Sequence, residues 1–90
     1  MIRRYNRSRV NVTIQFFSYL KQLTGVERIE RTVPEGTTLG EIHEQLCLEH
    51  PALNDLSRST LLAVGVDYQG RDHTIQDGDV VSLFPPVQGG

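Results

Sequence analysis

Apolar and polar residues alternate over VNVTIQFF (10–17). Val10, Val12, Ile14 and Phe16 fall on one side, and Asn11, Thr13 and Gln15 on the other. That period of two predicts a half-buried strand. Phe17 breaks the alternation and places an aromatic ring on the polar side. The next stretch, SYLKQLTG (18–25), reads as a short helical turn with Ser18 at its N-cap and Gly25 as its stop. RIERTV (28–33) alternates again, with Arg31 sharing the parity of Ile29 and Val33, and Pro34-Glu35-Gly36 makes a turn.

The period then changes. Thr38 followed by Glu41 fits a capping box, and Leu39, Ile42 and Leu46 form an i, i+3, i+7 stripe. Glu41, Glu44, Gln45 and Glu49 lie off that stripe. The spacing predicts a helix to about His50, because Pro51 biases the preceding residue away from helical geometry. LNDLSRS (53–59) reads as a loop with room for a helical turn. LLAVGVDY (61–68) is short enough for a strand, a glycine turn follows in DYQGRD, and Ile75 lies in a short extended piece. Asp77-Gly78 turns the chain into VVSLF (80–84), where Val81 and Leu83 share one face and Val80, Ser82 and Phe84 the other.

Two strands, one main helix, then further strands predict an α+β domain: a mixed sheet packed on one helix, in the order of the β-grasp, or ubiquitin-like, fold. The expected organisation is a basic flexible extension over 1–9, the domain over 10–84 and a tail over 85–90. Pro85 and Pro86 cannot donate ladder hydrogen bonds and hold φ near −65°, so they make a stiff spacer off the last strand. Val87 to Gly90 then reach at most about 14 Å. Gly89 and Gly90 lack a Cβ, so a narrow channel admits them and a catalyst can approach the final carboxylate. A carboxylate needs activation, and the chain has no phosphate-cradling GxxxxGK[ST] loop to supply it. The expected role is therefore a carrier or substrate, not a catalyst alone, with ATP consumed by a partner enzyme and no cofactor bound.

Charge narrows the partners. Net charge is −2, yet the four arginines at 3, 4, 7 and 9 leave five basic against eleven acidic groups in the remaining chain. An acidic body disfavours nucleic acid and favours a partner with a basic face. No apolar stretch is long enough to span a membrane, and no signal-peptide h-region follows the basic start. The single Cys47 points to the cytoplasm rather than a disulfide-forming compartment.

FFSYLKQLTG (16–25), VPEGTTLGEI (33–42), LLAV (61–64), DGDVV (77–81) and above all FPPVQGG (84–90) resemble the MoaD/ThiS family of ubiquitin-like sulfur carriers, most closely its molybdopterin synthase small-subunit branch. The resemblance covers nearly all of the chain beyond the N-terminal extension. It implies that a ubiquitin-activating-like adenylyltransferase adenylates Gly90, which becomes a thiocarboxylate. The tail then enters the active site of the synthase large subunit, with Gly89 threading the channel, and donates sulfur to a pyranopterin precursor in molybdenum cofactor biosynthesis. It also implies that Phe17, Tyr68 and Phe84, together with Pro85, Pro86 and Val87, meet the partners. Gly65 stands where the family often has asparagine.

Two other functions share this terminus: a ubiquitin-like modifier joined to lysines, and a sulfur carrier for thiamine, cysteine or siderophore synthesis. Other reactive residue types have simpler structural readings. Cys47 beside Leu46 and Leu48 reads as a small buried hydrophobe. His43 and Cys47 at i, i+4 lack an evident third ligand, so no metal is expected. His73 and Asp72 read as solvated hairpin polarity, and Asp77 and Asp79 as turn residues.

Overall fold

The computed structural model describes residues 8–86. Strand β1 (Arg9–Phe16) buries Val10, Val12, Ile14 and Phe16, the set its alternation selects. It pairs antiparallel with β2 (Arg28–Pro34), with Ile14 opposite Ile29. Between them lies a six-residue helix, α1 (Tyr19–Thr24), whose Leu20 is fully buried.

Ser18 does not cap α1. It sits at φ 57°, ψ −140° and its side chain makes no cap hydrogen bond. The tight exit from β1 takes precedence: the Phe17 N–H still donates to the Leu83 carbonyl (3.1 Å), and the Leu20 N–H already donates to the Phe17 carbonyl (3.1 Å). Reversing direction within those residues forces a positive φ, which costs a non-glycine residue about 1–3 kcal/mol. Replacing Ser18 by glycine is therefore expected to stabilise the fold by about 1 kcal/mol, raising the melting temperature by roughly 4–8 °C. Thermal denaturation followed by circular dichroism checks this; a lowered midpoint would show that the backbone here is unstrained.

Helix α2 (Leu39–Glu49) opens with the anticipated capping box. The Glu41 N–H donates to Thr38 Oγ1 (3.2 Å), and the Thr38 N–H to Glu41 Oε1 (2.9 Å). Its buried stripe is wider than the sequence pattern indicates, since His43 and Cys47 join Leu39, Ile42 and Leu46. Each fully buried aliphatic of that stripe contributes about 2 kcal/mol against the sheet. Arg31 shares the core-facing parity of β2 because it reaches Glu49, with Nη1 2.8 Å from Oε2 and Nη2 2.5 Å from Oε1. That two-pronged pair ties the edge strand to the end of α2.

After α2 comes a 3-10 helix (Pro51–Leu56) that buries Leu53; it starts two residues ahead of the 53–59 stretch and is the helical turn for which that stretch had room. The 61–68 run divides into β3 (Leu61–Val64) and β4 (Asp67–Tyr68), paired antiparallel with Val64 opposite Asp67. Gly65 holds φ 62°, and this positive φ at the first position of the two-residue turn is what closes the hairpin. Ile75 is buried but lies in no strand; its N–H donates to the Thr37 carbonyl (2.9 Å). Asp79 accepts from the Gln76 N–H (2.8 Å) within the turn, whereas Asp77 accepts from the Asn11 N–H (2.7 Å) and ties the turn to β1.

Strand β5 (Asp79–Phe84) completes the sheet in the order β2-β1-β5-β3-β4. It runs parallel to β1 and antiparallel to β3, so the sheet is mixed. One face packs on α2 through Ile14, Phe16, Leu62, Val81 and Leu83, giving the β-grasp arrangement. The basic extension, apart from Ser8 and Arg9, lies outside the described residues.

His43 and His73 depart from their expected settings. His43 is 2% exposed, and its Nδ1 lies 2.9 Å from Arg71 Nη1. Arginine has no acceptor, so Nδ1 must be the unprotonated nitrogen and the proton resides on Nε2, which has no partner among the described residues. Gly40 permits this close approach: a Cβ there would stand 3.0 Å from Arg71 Cβ. Burial, then the Arg71 charge, lowers the His43 pKa from the ordinary 6.5. In the unfolded chain the ring protonates below about pH 6.5, while in the folded protein it stays neutral to lower pH. The unfolded state thus binds more protons in that window, and stability falls as pH drops through it. A His43→Gln variant is expected to lose less stability than the parent between pH 7.5 and pH 5.5 in urea titrations; equal losses would remove His43 as the cause. His73 is half-buried rather than solvated, with Nε2 3.6 Å from Asp79 Oδ2.

Candidate functional site

The sheet face away from α2 carries the side chains of opposite parity. On β5 these are Val80, Ser82 and Phe84; Ser82 aligns with Gln15 on one side and Ala63 on the other. Tyr68 lies opposite Ala63, and Phe84 opposite Leu61. Phe17 follows the end of β1, with its backbone still bonded to Leu83, and the Ser18 bend turns the chain away immediately after it.

These placements gather three residues that are distant in sequence. The Phe17 and Phe84 rings stack with centroids 4.7 Å apart and planes 14° apart. Tyr68 meets Phe84 edge-on, at 6.3 Å and 74°. Such pairs add about 0.5–1.5 kcal/mol beyond area burial. Yet the cluster stays open to water: Phe17 is 38% and Tyr68 70% exposed. Val80 and the hairpin-tip Val66 extend the exposed apolar surface. An exposed aromatic cluster of this kind marks an interaction surface, since aromatic residues are the side chains that dominate such contacts. Val66 and Val80 are additions that sequence reasoning missed. Val80 was assigned the outer parity, which was the available signal.

Pro85 and Pro86 leave the sheet directly beyond Phe84 and are half-buried. The tail therefore departs from the cluster itself. Val87, Gly89 and Gly90 lie outside the described residues.

Cys47 is buried, and burial raises its thiol pKa, which opposes thiolate formation. Among the described residues no three histidine, cysteine, aspartate or glutamate side chains gather as a metal site. No described helix is long and apolar enough to cross a membrane.

The chain matches the ThiS family over residues 14–90. It is 28% identical over 83 residues to the molybdopterin synthase sulfur carrier subunit of Arabidopsis thaliana, spanning 92% of this chain and 86% of that one. A Pyrococcus furiosus structure described as molybdopterin converting factor, subunit 1, superposes with a TM-score of 0.77 at 31% identity, covering 87% of this chain and 99% of that one. The same fold occurs in a Helicobacter pylori complex of subunits 1 and 2 of molybdopterin-converting factor, with a TM-score of 0.63 at 24% identity, covering 90% of this chain and all of that one.

Proposed function

The chain belongs to the ThiS family, and from that premise we propose that it is a sulfur carrier serving as the small subunit of a molybdopterin synthase. The observation that carries this reading is the origin of the tail: β5 ends at Phe84, inside an exposed aromatic cluster, and Pro85-Pro86 follow at once. A partner that grips the cluster thereby holds the root of the tail. The family match runs through Gly90, which supports assigning the reactive group to that residue.

The chemistry is divided between proteins. A partner adenylyltransferase joins the Gly90 carboxylate to AMP, and pyrophosphate leaves. A sulfide-equivalent nucleophile then attacks the acyl carbon; a C–S bond forms and AMP departs with the C–O bond electrons. In the large subunit the thiocarboxylate sulfur attacks a carbon of the pyranopterin precursor; a C–S bond forms as a C–O bond at that carbon breaks and the oxygen leaves with its electron pair. Water then cleaves the acyl–sulfur bond, leaving sulfur on the pterin and returning Gly90 to a carboxylate. This chain supplies the unhindered acyl end, the stiff spacer and the aromatic grip, and it acts in the cytoplasm.

Intact mass spectrometry of the protein from its native host tests this. A species about 16 Da heavier is expected, lost when Gly90 is removed and retained in a Met1→Leu variant, since methionine oxidation adds nearly the same mass. An unmodified mass, with the chain found instead on lysines of other proteins, would replace the carrier reading with that of a protein modifier.

A further inference from the structure

Beside the aromatic cluster, a groove of about 480 Å³ runs between the loop after the 3-10 helix and the segment following β4. Its floor is apolar, formed by Leu61, Leu62 and Tyr68, and Arg58, Thr60 and Arg71 border it. Both charged residues of the lining are arginines, and both are exposed. Neither has a carboxylate within ion-pair distance among the described residues. Arg71 is nonetheless held in place, since Nη1 meets His43 Nδ1 at 2.9 Å and Nη2 lies 3.4 Å from the Gly40 carbonyl. Both acceptors are neutral, so they orient the guanidinium without cancelling its charge. In a chain whose residues beyond the first nine carry eleven acids against five bases, two uncompensated arginines across one groove form a local reversal of sign.

We propose that this groove receives an acidic segment of the same partner protein that docks on the aromatic cluster: an apolar side chain on the Leu61–Tyr68 floor, flanked by aspartate or glutamate carboxylates that face Arg58 and Arg71. The groove is partly open to solvent, so a segment of another protein can enter it. Tyr68 belongs to both surfaces, and Leu61 lies opposite Phe84 in the sheet, so groove and cluster form one continuous face. Guanidinium groups recognise carboxylates through paired, charge-assisted hydrogen bonds, and pre-orientation of Arg71 lowers the ordering cost of forming them. The groove would therefore favour, through its two arginines, a partner that presents an acidic segment beside its main docking face.

This inference rests on the proposed docking of the synthase large subunit, so the test separates the two. Calorimetric titration of the large subunit from the same organism is carried out with the parent chain, Arg58→Glu, Ser57→Glu and Phe84→Asp. Arg58 is chosen because Arg71 also packs against α2; Ser57→Glu places an acid in the same groove without removing any arginine. Each groove variant is expected to weaken binding about 10-fold at low salt, and raising NaCl from about 50 to about 300 mM should weaken the parent more than Arg58→Glu. Unchanged affinity in both groove variants, with the parent insensitive to salt, overturns the groove whatever Phe84→Asp does. Phe84→Asp alone reports on the aromatic cluster, and its failure to weaken binding would overturn the docking face instead.

Discussion

A chain lacking Gly90 is expected to transfer no sulfur, a loss of at least about 1000-fold, while unfolding at the same temperature as the parent. The activity loss follows from chemistry. The proposed reaction is at a terminal acyl carbon, and deletion moves that carbon back by one residue, about 3.5 Å short of the catalytic groups that must meet it. The unchanged stability follows from the fold, since among the described residues Leu83 is the last of the buried core and the last strand ends at Phe84. Sulfur incorporation into the pterin, measured beside a thermal melt, checks both halves. A lowered melting point would mean that the terminus packs against the domain, and the free-arm reading would fall.

Phe84→Asp is expected to weaken large-subunit binding by roughly 30- to 1000-fold, the effect of losing an aromatic anchor worth about 2–4 kcal/mol. Phe84 is the hub of its cluster, stacked on Phe17 at 4.7 Å and touched edge-on by Tyr68 at 6.3 Å. A carboxylate there removes both ring contacts and places a charge where the partner excludes water. The fold should lose only about 1–2 kcal/mol, because the ring is half-buried in the free protein. Tyr68→Ala is the companion variant. That ring is 70% exposed, so binding should weaken with almost no change in stability. Titration calorimetry paired with urea denaturation distinguishes these outcomes, and unaltered affinity in both variants would remove the cluster from the interface.

Strands β1 and β5 and helix α2 were legible because their signals are local. Alternation in Val10–Phe16, the capping box at Thr38–Glu41 and the turn around Asp77-Gly78 each depend on residues a few positions apart. The outward parity of Phe17 and Phe84 was legible for the same reason. Ser18 misled because its hydroxyl suits an N-cap, while the backbone there is governed by a hydrogen bond from Phe17 to distant Leu83. LLAVGVDY misled because an apolar run gives no sign of reversing; only the positive φ of Gly65 makes it a hairpin. His43 lies at i+4 from Leu39 on the helical stripe, but its contact with Arg71, 28 residues away, has no local signal.

The sequence by itself determined the β-grasp class and the family. Local periodicity selects which side chains are buried, and the pyrrolidine rings of Pro85 and Pro86 end the sheet ladder by their covalent structure. Tertiary structure decided what lies beside what. Parallel pairing of β1 with β5 brings Phe17 against Phe84, the Gly65 hairpin brings Tyr68 to the same edge, and packing of the 70–75 segment on α2 sets Arg71 across a groove from Arg58. These juxtapositions arise from long-range pairing, in which contact between two residues is fixed by strand register and helix packing rather than by their spacing along the chain.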